Sequence, residues 1–329
     1  MIIDTHGHVV APAEVYSYQA QLVASRNNPD LGAPHIDDAL LEQSVASHLE
    51  TLRKVGTDIQ FISPRPYHMM HSLQPYTVVQ AWTRFVNDII AQEVRLHPDV
   101  YRGVAALPES PTVAPSEWVS ELERCVREYH FVGCLLNPDP TEAQGTPPGL
   151  GERYWYPVYE KLVELNVPAL IHSASSASPR ESYTLHFINE ESIAILSLLE
   201  SDVFRDFPDL KIVVAHSGGA IPYQMGRFRA WAYRRHLPET FDESLRHLYF
   251  DTCNYSKDSL ELLIKTVGAD RVLFGTENPG TGTVIDPATG RTFDDVKPMI
   301  DSIEWLSAAD RQLIYEDNAR KVYSRAFNK

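Results

Sequence analysis

The chain opens on MIIDTHGH, where an apolar run ends in two histidines, His6 and His8, separated by Gly7. Residues i and i+2 of a strand point to one face, so the two imidazoles project together. Two imidazole nitrogens converging from one strand end can chelate a transition metal. Three more residues able to bind metal or carry protons close other apolar runs: His172 in PALIHSA, His216 in KIVVAHSG and Glu277 in RVLFGTEN. Each alone has an ordinary reading, a core histidine bonded to a carbonyl or a solvated carboxylate. Together they form the ligand set of a catalytic zinc site with an open position, plus one histidine left over as general base.

Such a set works only if the chain brings the ends of these runs to one place. Short apolar runs recur at 1–8, 58–64, 101–108, 131–138, 168–174, 211–218, 248–254 and 271–278. Several are apolar on both faces, as strands of a helix-covered parallel sheet should be. Between them, apolar residues at helical spacing predict helices over 37–56, 77–98, 114–130, 154–168, 190–208 and 256–268. The alternation predicts a single-domain (β/α)8 TIM barrel over residues 1–329, with a doubly wound open sheet as the alternative. Long stretches at 8–36, 65–76 and 139–155, and those after Ser173 and Asn278, follow strand C-termini. On that face of a barrel they predict a substrate pocket with a lid.

Composition narrows the partners. A formal net charge of −15 makes nucleic acid and anionic membrane surfaces poor partners. It leaves room for an anionic substrate, since one arginine or metal can dominate a pocket. The cysteines Cys125, Cys134 and Cys253 form no CxxC pair, which fits a reducing cytoplasm. The N-terminus has no basic region followed by an apolar stretch, and no run reaches the roughly 20 apolar residues of a membrane span. The stretch GTENPGTG lacks the GK[ST] of a phosphate loop.

The HxH of the first run, the later histidines and the acid in TENP resemble the amidohydrolase-2, or aminocarboxymuconate-semialdehyde decarboxylase-like, family of metal-dependent enzymes. The segments SPRPYHMMH, ALPESP, LNPDP, DFPDLKIVVAHSGGAIPYQMGRFR and IYEDNARKVY extend the likeness over nearly the whole chain. Within that family they look most like the 4-oxalomesaconate hydratases. Glu277 matches these, where the decarboxylases mostly carry Asp, while Phe187 stands where a Tyr is expected.

The resemblance implies a Zn²⁺ ion, or Mn²⁺ or another divalent ion, bound by His6, His8, His172 and Glu277. It implies hydration of an unsaturated keto polycarboxylate, with His216 or Glu277 taking the proton from water. The alternatives are decarboxylation of a hydroxybenzoate or carboxymuconate-type acid, and metal-dependent hydrolysis. Arg65 and Arg227 are the expected carboxylate clamps, because a guanidinium matches a carboxylate in a bidentate fork. Asn137, in LNPDP, and His186, in LHFINEES, are the other expected substrate contacts. A cytoplasmic homo-oligomer, with a dimer favoured, completes the expectation.

Overall fold

The computed structural model of the protein describes residues 1–26 and 32–327, so 27–31 of the long 8–36 stretch lie outside the described residues. Strands β1 (Ile3–His8), β2 (Ile59–Ser63), β3 (Tyr101–Ala105), β4 (Gly133–Leu136), β5 (Ala169–Ile171), β6 (Ile212–Val214) and β7 (Leu248–Phe250) pair in sequence order, all parallel. The sheet curls, as expected of the TIM-barrel type of architecture.

Alternation along each strand explains why the runs are apolar on both faces. Phe61, Leu135, Leu170 and Val213 join one buried cluster on the concave side. Their neighbours Ile62, Leu136, Ile171 and Val214 join the layer under the helices. Tyr323 and Val322, near the C-terminus, close the floor of the inner cluster.

The expected eighth strand is not regular. Segment 271–278 meets β7 only at Phe250–Val272 and β1 only at Gly7–Asn278, as isolated bridges. Leu273 N–H still donates to Phe250 O and Thr5 N–H to Phe274 O. But Phe274 N–H donates to Ile314 O, and Glu277 takes a left-handed φ of +60°, so no continuous ladder forms.

The helices up to residue 267 are α1 (Ala13–Ser25), α2 (Asp38–Val55), α3 (Tyr76–Leu96), α4 (Val119–Glu128), α5 (Tyr156–Leu165), α6 (Tyr183–Leu199), α7 (Val203–Asp206), α8 (Met225–Arg235), α9 (Phe241–Leu245) and α10 (Lys257–Val267), and three short helices follow at Lys297–Asp301, Ala308–Gln312 and Asn318–Val322. The chemistry of the α2 ends is visible in the sequence. Asp37 accepts from Leu40 N–H, and Gly56 ends the helix at φ +83°. Helices α1, α8 and α9 are not among those expected, and the expected helix over 190–208 is split into α6 and α7. Helix α1 occupies part of the stretch read as loop, burying Val15, Tyr18 and Leu22. Helix α6 starts seven residues before the expected Glu190, because the Ser182 hydroxyl caps it by accepting from Leu185 N–H. Among the described residues no helix is long and apolar enough to cross a membrane.

Candidate active site

A bulge positions the first two ligands. On β1, Asp4 to Gly7 spans one residue more than its partner stretch Gln60 to Ile62 on β2. The extra residue reverses the alternation, so Ile3 and, past the bulge, His6 and His8 all face inward. Gly7 is required where it stands. A Cβ there would lie 2.4 Å from Gln60 Cδ. The Gln60 amide donates to Asp4 and to Asn278 O, both at 2.9 Å, fastening β1, β2 and the last segment together.

Four imidazoles converge. The His6 and His172 rings lie 4.9 Å apart, His8 and His172 5.4 Å, and His172 and His216 4.8 Å. His6, His8, His172 and Glu277 are buried, with ligand atoms all within 4.8 Å of one another.

Hydrogen bonds fix the tautomers. His6 Nδ1–H donates to Asp251 Oδ2 at 2.7 Å, and His172 Nδ1–H to Ser173 O at 2.7 Å. Ser63 gives its hydroxyl proton to Gly7 O, so it accepts from His8 Nδ1–H at 2.9 Å. All three Nε2 lone pairs therefore face the centre. His6 Nε2 and His172 Nε2 are buried and have no hydrogen-bond partner among the described residues. Burial, then the neighbouring imidazoles, push His8 and His172 well below the usual histidine range, so both are neutral ligands at neutral pH. Orphaned nitrogens around an acidic oxygen fit a divalent cation, and Nδ1–H partners are what ligating histidines require.

His216 differs. Its Nδ1 lies 2.7 Å from Glu191 Oε1 and its Nε2 3.3 Å from Glu277 Oε1. Facing two carboxylates, both nitrogens donate and the ring is an imidazolium, even though burial pushes Glu191 up to about 7. Burial opposes that charge, but Glu191 and Glu277 outweigh it and raise His216 well above the ordinary range. Glu277, despite burial, is held ionised chiefly by His216. Its other oxygen accepts from Tyr255 Oη–H. His216, Ser217, Tyr255 and Glu277 all have positive φ, between +48° and +60°. Such backbone costs on the order of 1–3 kcal/mol per residue and clusters at functional sites.

A cavity of about 320 Å³ opens beside this group, lined by Phe187, His216, Tyr223, Asn254, Tyr255 and Glu277. That volume suits a small organic substrate. The remaining sequence candidates lie elsewhere. Arg65 Nε donates to Val9 O, in a narrow crevice with Tyr16 and His68 near His8. The Asn137 amide donates to Asp139 O, and the residue lines a second narrow crevice with His71, Glu109 and His172. His186 is buried among Glu181, Asp139 and Glu190. Arg227 is exposed on α8. Sequence reasoning missed Asp251 and Glu191. Asp251 ends an apolar run like the other site residues, whereas Glu191 sits mid-helix with no such signal.

A curled parallel sheet carrying an HxH pair, a third histidine and an acid at its strand ends defines a metal-dependent enzyme of the amidohydrolase type. The amidohydrolase family model matches residues 3–325, and the chain belongs to this family. It is 38% identical to 2-keto-4-carboxy-3-hexenedioate hydratase of Sphingobium sp. over 99% of this chain and 96% of that protein. It superposes on the crystal structure of 4-oxalomesaconate hydratase from Rhodopseudomonas palustris with a TM-score of 0.90 at 38% identity, covering 99% and 96% of the two chains. The γ-resorcylate decarboxylase of Polaromonas sp. is 31% identical over 73% of this chain and 75% of its own length. A dihydroxybenzoic acid decarboxylase from the same genus, solved with bound manganese, gives a TM-score of 0.74 at 25% identity, over 98% and 96% of the chains.

Asp251 is a positioning residue for His6. Asp251→Asn keeps the shape but weakens the bond that fixes the ligand nitrogen. Loss of such a partner typically costs 10- to 100-fold in metal affinity. Competition against a chelator is expected to show a drop of about that size, and unchanged affinity would reduce Asp251 to a packing role.

Proposed function

We propose that the protein is a metal-dependent hydro-lyase that adds water across the double bond of 4-oxalomesaconate or a similar unsaturated keto polycarboxylate. The observation that carries the reading is the ionised Glu277 held 3.3 Å from the cationic His216 at the wall of the cavity. Adding water needs a base for the water and an acid for the carbon or oxygen that takes up charge, and this pair supplies both. The full-length likeness to hydratases supports it further.

The fold is read as a (β/α)8 barrel in a single domain, with segment 271–278 in the place of the eighth strand. His6, His8, His172 and Glu277 would hold a divalent ion, zinc or manganese, which acts as a Lewis acid toward substrate oxygens. Glu277 takes a proton from the attacking water, whose oxygen bonds to the electron-poor alkene carbon. His216 Nε2 gives its proton to the other end of the conjugated system, and Glu191 holds the ring in place. Glu277 then returns its proton to His216 across their contact, so the site is reset and one water has been added. Phe187, beside the His216 ring, shields this exchange from bulk water. Arg65, in the crevice beside His8, is assigned to one substrate carboxylate.

This assigns His216 the acid role, whereas an unperturbed histidine suits a base. The test is incubation with 4-oxalomesaconate in ¹⁸O-water, alongside a panel of hydroxybenzoates and carboxymuconate-type acids. Label on the product carbon with loss of the conjugated chromophore is the expected result. Release of CO₂ without label on any substrate would replace the reading with decarboxylation.

A further inference from the structure

Outside the active site, a second group of ligand-type side chains stands between α6 and the loop after β4. His186 and Glu190 are four residues apart on α6, so they share one face of the helix. Asp139 comes from the facing loop. The ligand atoms of the three lie within 4.8 Å of one another. His186 is fully buried, and its Nδ1–H donates to Glu181 Oε2 at 3.0 Å. That leaves Nε2 aimed at Asp139 Oδ2, 3.9 Å away. This nitrogen is buried and has no hydrogen-bond partner among the described residues. A buried lone pair facing carboxylates without a proton between them is unfavourable unless something fills the gap.

The surroundings favour a cation as that filler. Asp139 is fixed in place by Thr141 N–H at 2.9 Å and Ala143 N–H at 2.6 Å, so its carboxylate is preorganised. Burial, then the Asp139 charge, push Glu190 up to about 7. Glu181 adds a third carboxylate and plays the part that Asp251 plays for His6. Two ligands on one ion, each about 2.0–2.2 Å from it, are separated by at most roughly 4 Å. The 3.9 Å gap already satisfies this, and the ligand atom of the half-buried Glu190 lies within 4.8 Å of the other two.

We propose that Asp139, His186 and Glu190 bind a second divalent transition-metal ion, distinct from the one expected at His6, His8, His172 and Glu277. One imidazole with two carboxylates suits Mn²⁺, Fe²⁺ or Zn²⁺ better than the all-oxygen preference of Ca²⁺ or Mg²⁺. The ion joins α6 to the loop after β4. Phe187 follows His186 directly, its ring 5.4 Å from that of His172 and 5.8 Å from that of His216. The second ion therefore holds the wall of the catalytic cavity without touching substrate.

The test is Mn²⁺ stoichiometry by equilibrium dialysis and elemental analysis of the full chain. Wild type is expected to bind two ions per chain, and Glu190→Gln and His186→Gln one each. A variant combining His6→Ala and His8→Ala should keep the ion at α6, and its melting temperature should rise with added Mn²⁺. Because Glu190 reaches solvent, Glu190→Gln carries the test if His186→Gln fails to fold. One ion in wild type at saturating Mn²⁺ overturns the proposal. So does a second ion that persists in Glu190→Gln, or a doubly substituted variant that neither binds Mn²⁺ nor gains stability from it.

Discussion

Dialysis against a strong chelator is expected to abolish turnover, and Mn²⁺ or Zn²⁺ to restore it. The expectation rests on the three Nε2 lone pairs and the Glu277 oxygen that meet in one buried place. Lewis-acid stabilisation is worth several kcal/mol, and each 1.36 kcal/mol is tenfold in rate. The loss should therefore be about 10³-fold or more. His172→Ala should have the same effect without chelator, because it removes one ligand while the strand carrying it stays packed through Leu170 and Ile171. Circular dichroism on the stripped wild type separates loss of metal from loss of fold. Full activity in protein shown by elemental analysis to be free of metal would end the metal-dependent reading. The imidazoles are ready for the ion: His8 and His172 are neutral well below pH 6.5, so binding at neutral pH displaces no proton from them.

Much of this site was legible because it obeys one rule. In a parallel sheet covered by helices, polar residues at strand C-termini stand out against apolar runs, and the topology brings those ends together. His6, His8, His172, His216 and Glu277 are all visible that way. Asp251 follows the same rule, but its run, LYFDTCN, holds no histidine to mark it as part of a ligand set. Glu191 carries no signal in one sequence: it lies in a helix whose start is set by the Ser182 cap, and only the packing of α6 brings it to His216. The bulge at Asp4–Gly7 was also hidden, since period-two reasoning places His6 and His8 together without revealing that Ile3 shares their face. The break in the eighth strand follows from Phe274 bonding to Ile314, a long-range choice that local sequence does not encode.

The charge on His216 has the sharpest kinetic consequence. His216→Asn keeps a similar size and one donor but cannot carry a proton into the reaction. The expected result is a kcat lower by at least about 100-fold, the ordinary scale of general acid–base catalysis. The ion at His6, His8, His172 and Glu277 should be retained, because His216 bonds to Glu277 rather than completing that set. The pH profile distinguishes the acid role from a structural one. His216 is raised above the usual histidine value of about 6.5, so the catalytic acid is present through neutral pH and is lost only on the alkaline side. Glu277 is held low, so the base is present from mildly acidic pH upward. Wild-type kcat should therefore be flat across neutral pH and fall as pH rises through the His216 value, and the Asn variant should lack that alkaline fall. A His216 acting as base would give the opposite sign, with kcat rising through its pKa. A rising limb near pH 6–7 in wild type that vanishes in His216→Asn would transfer the base role from Glu277 to His216 and leave the acid to be sought among Tyr255 and its neighbours.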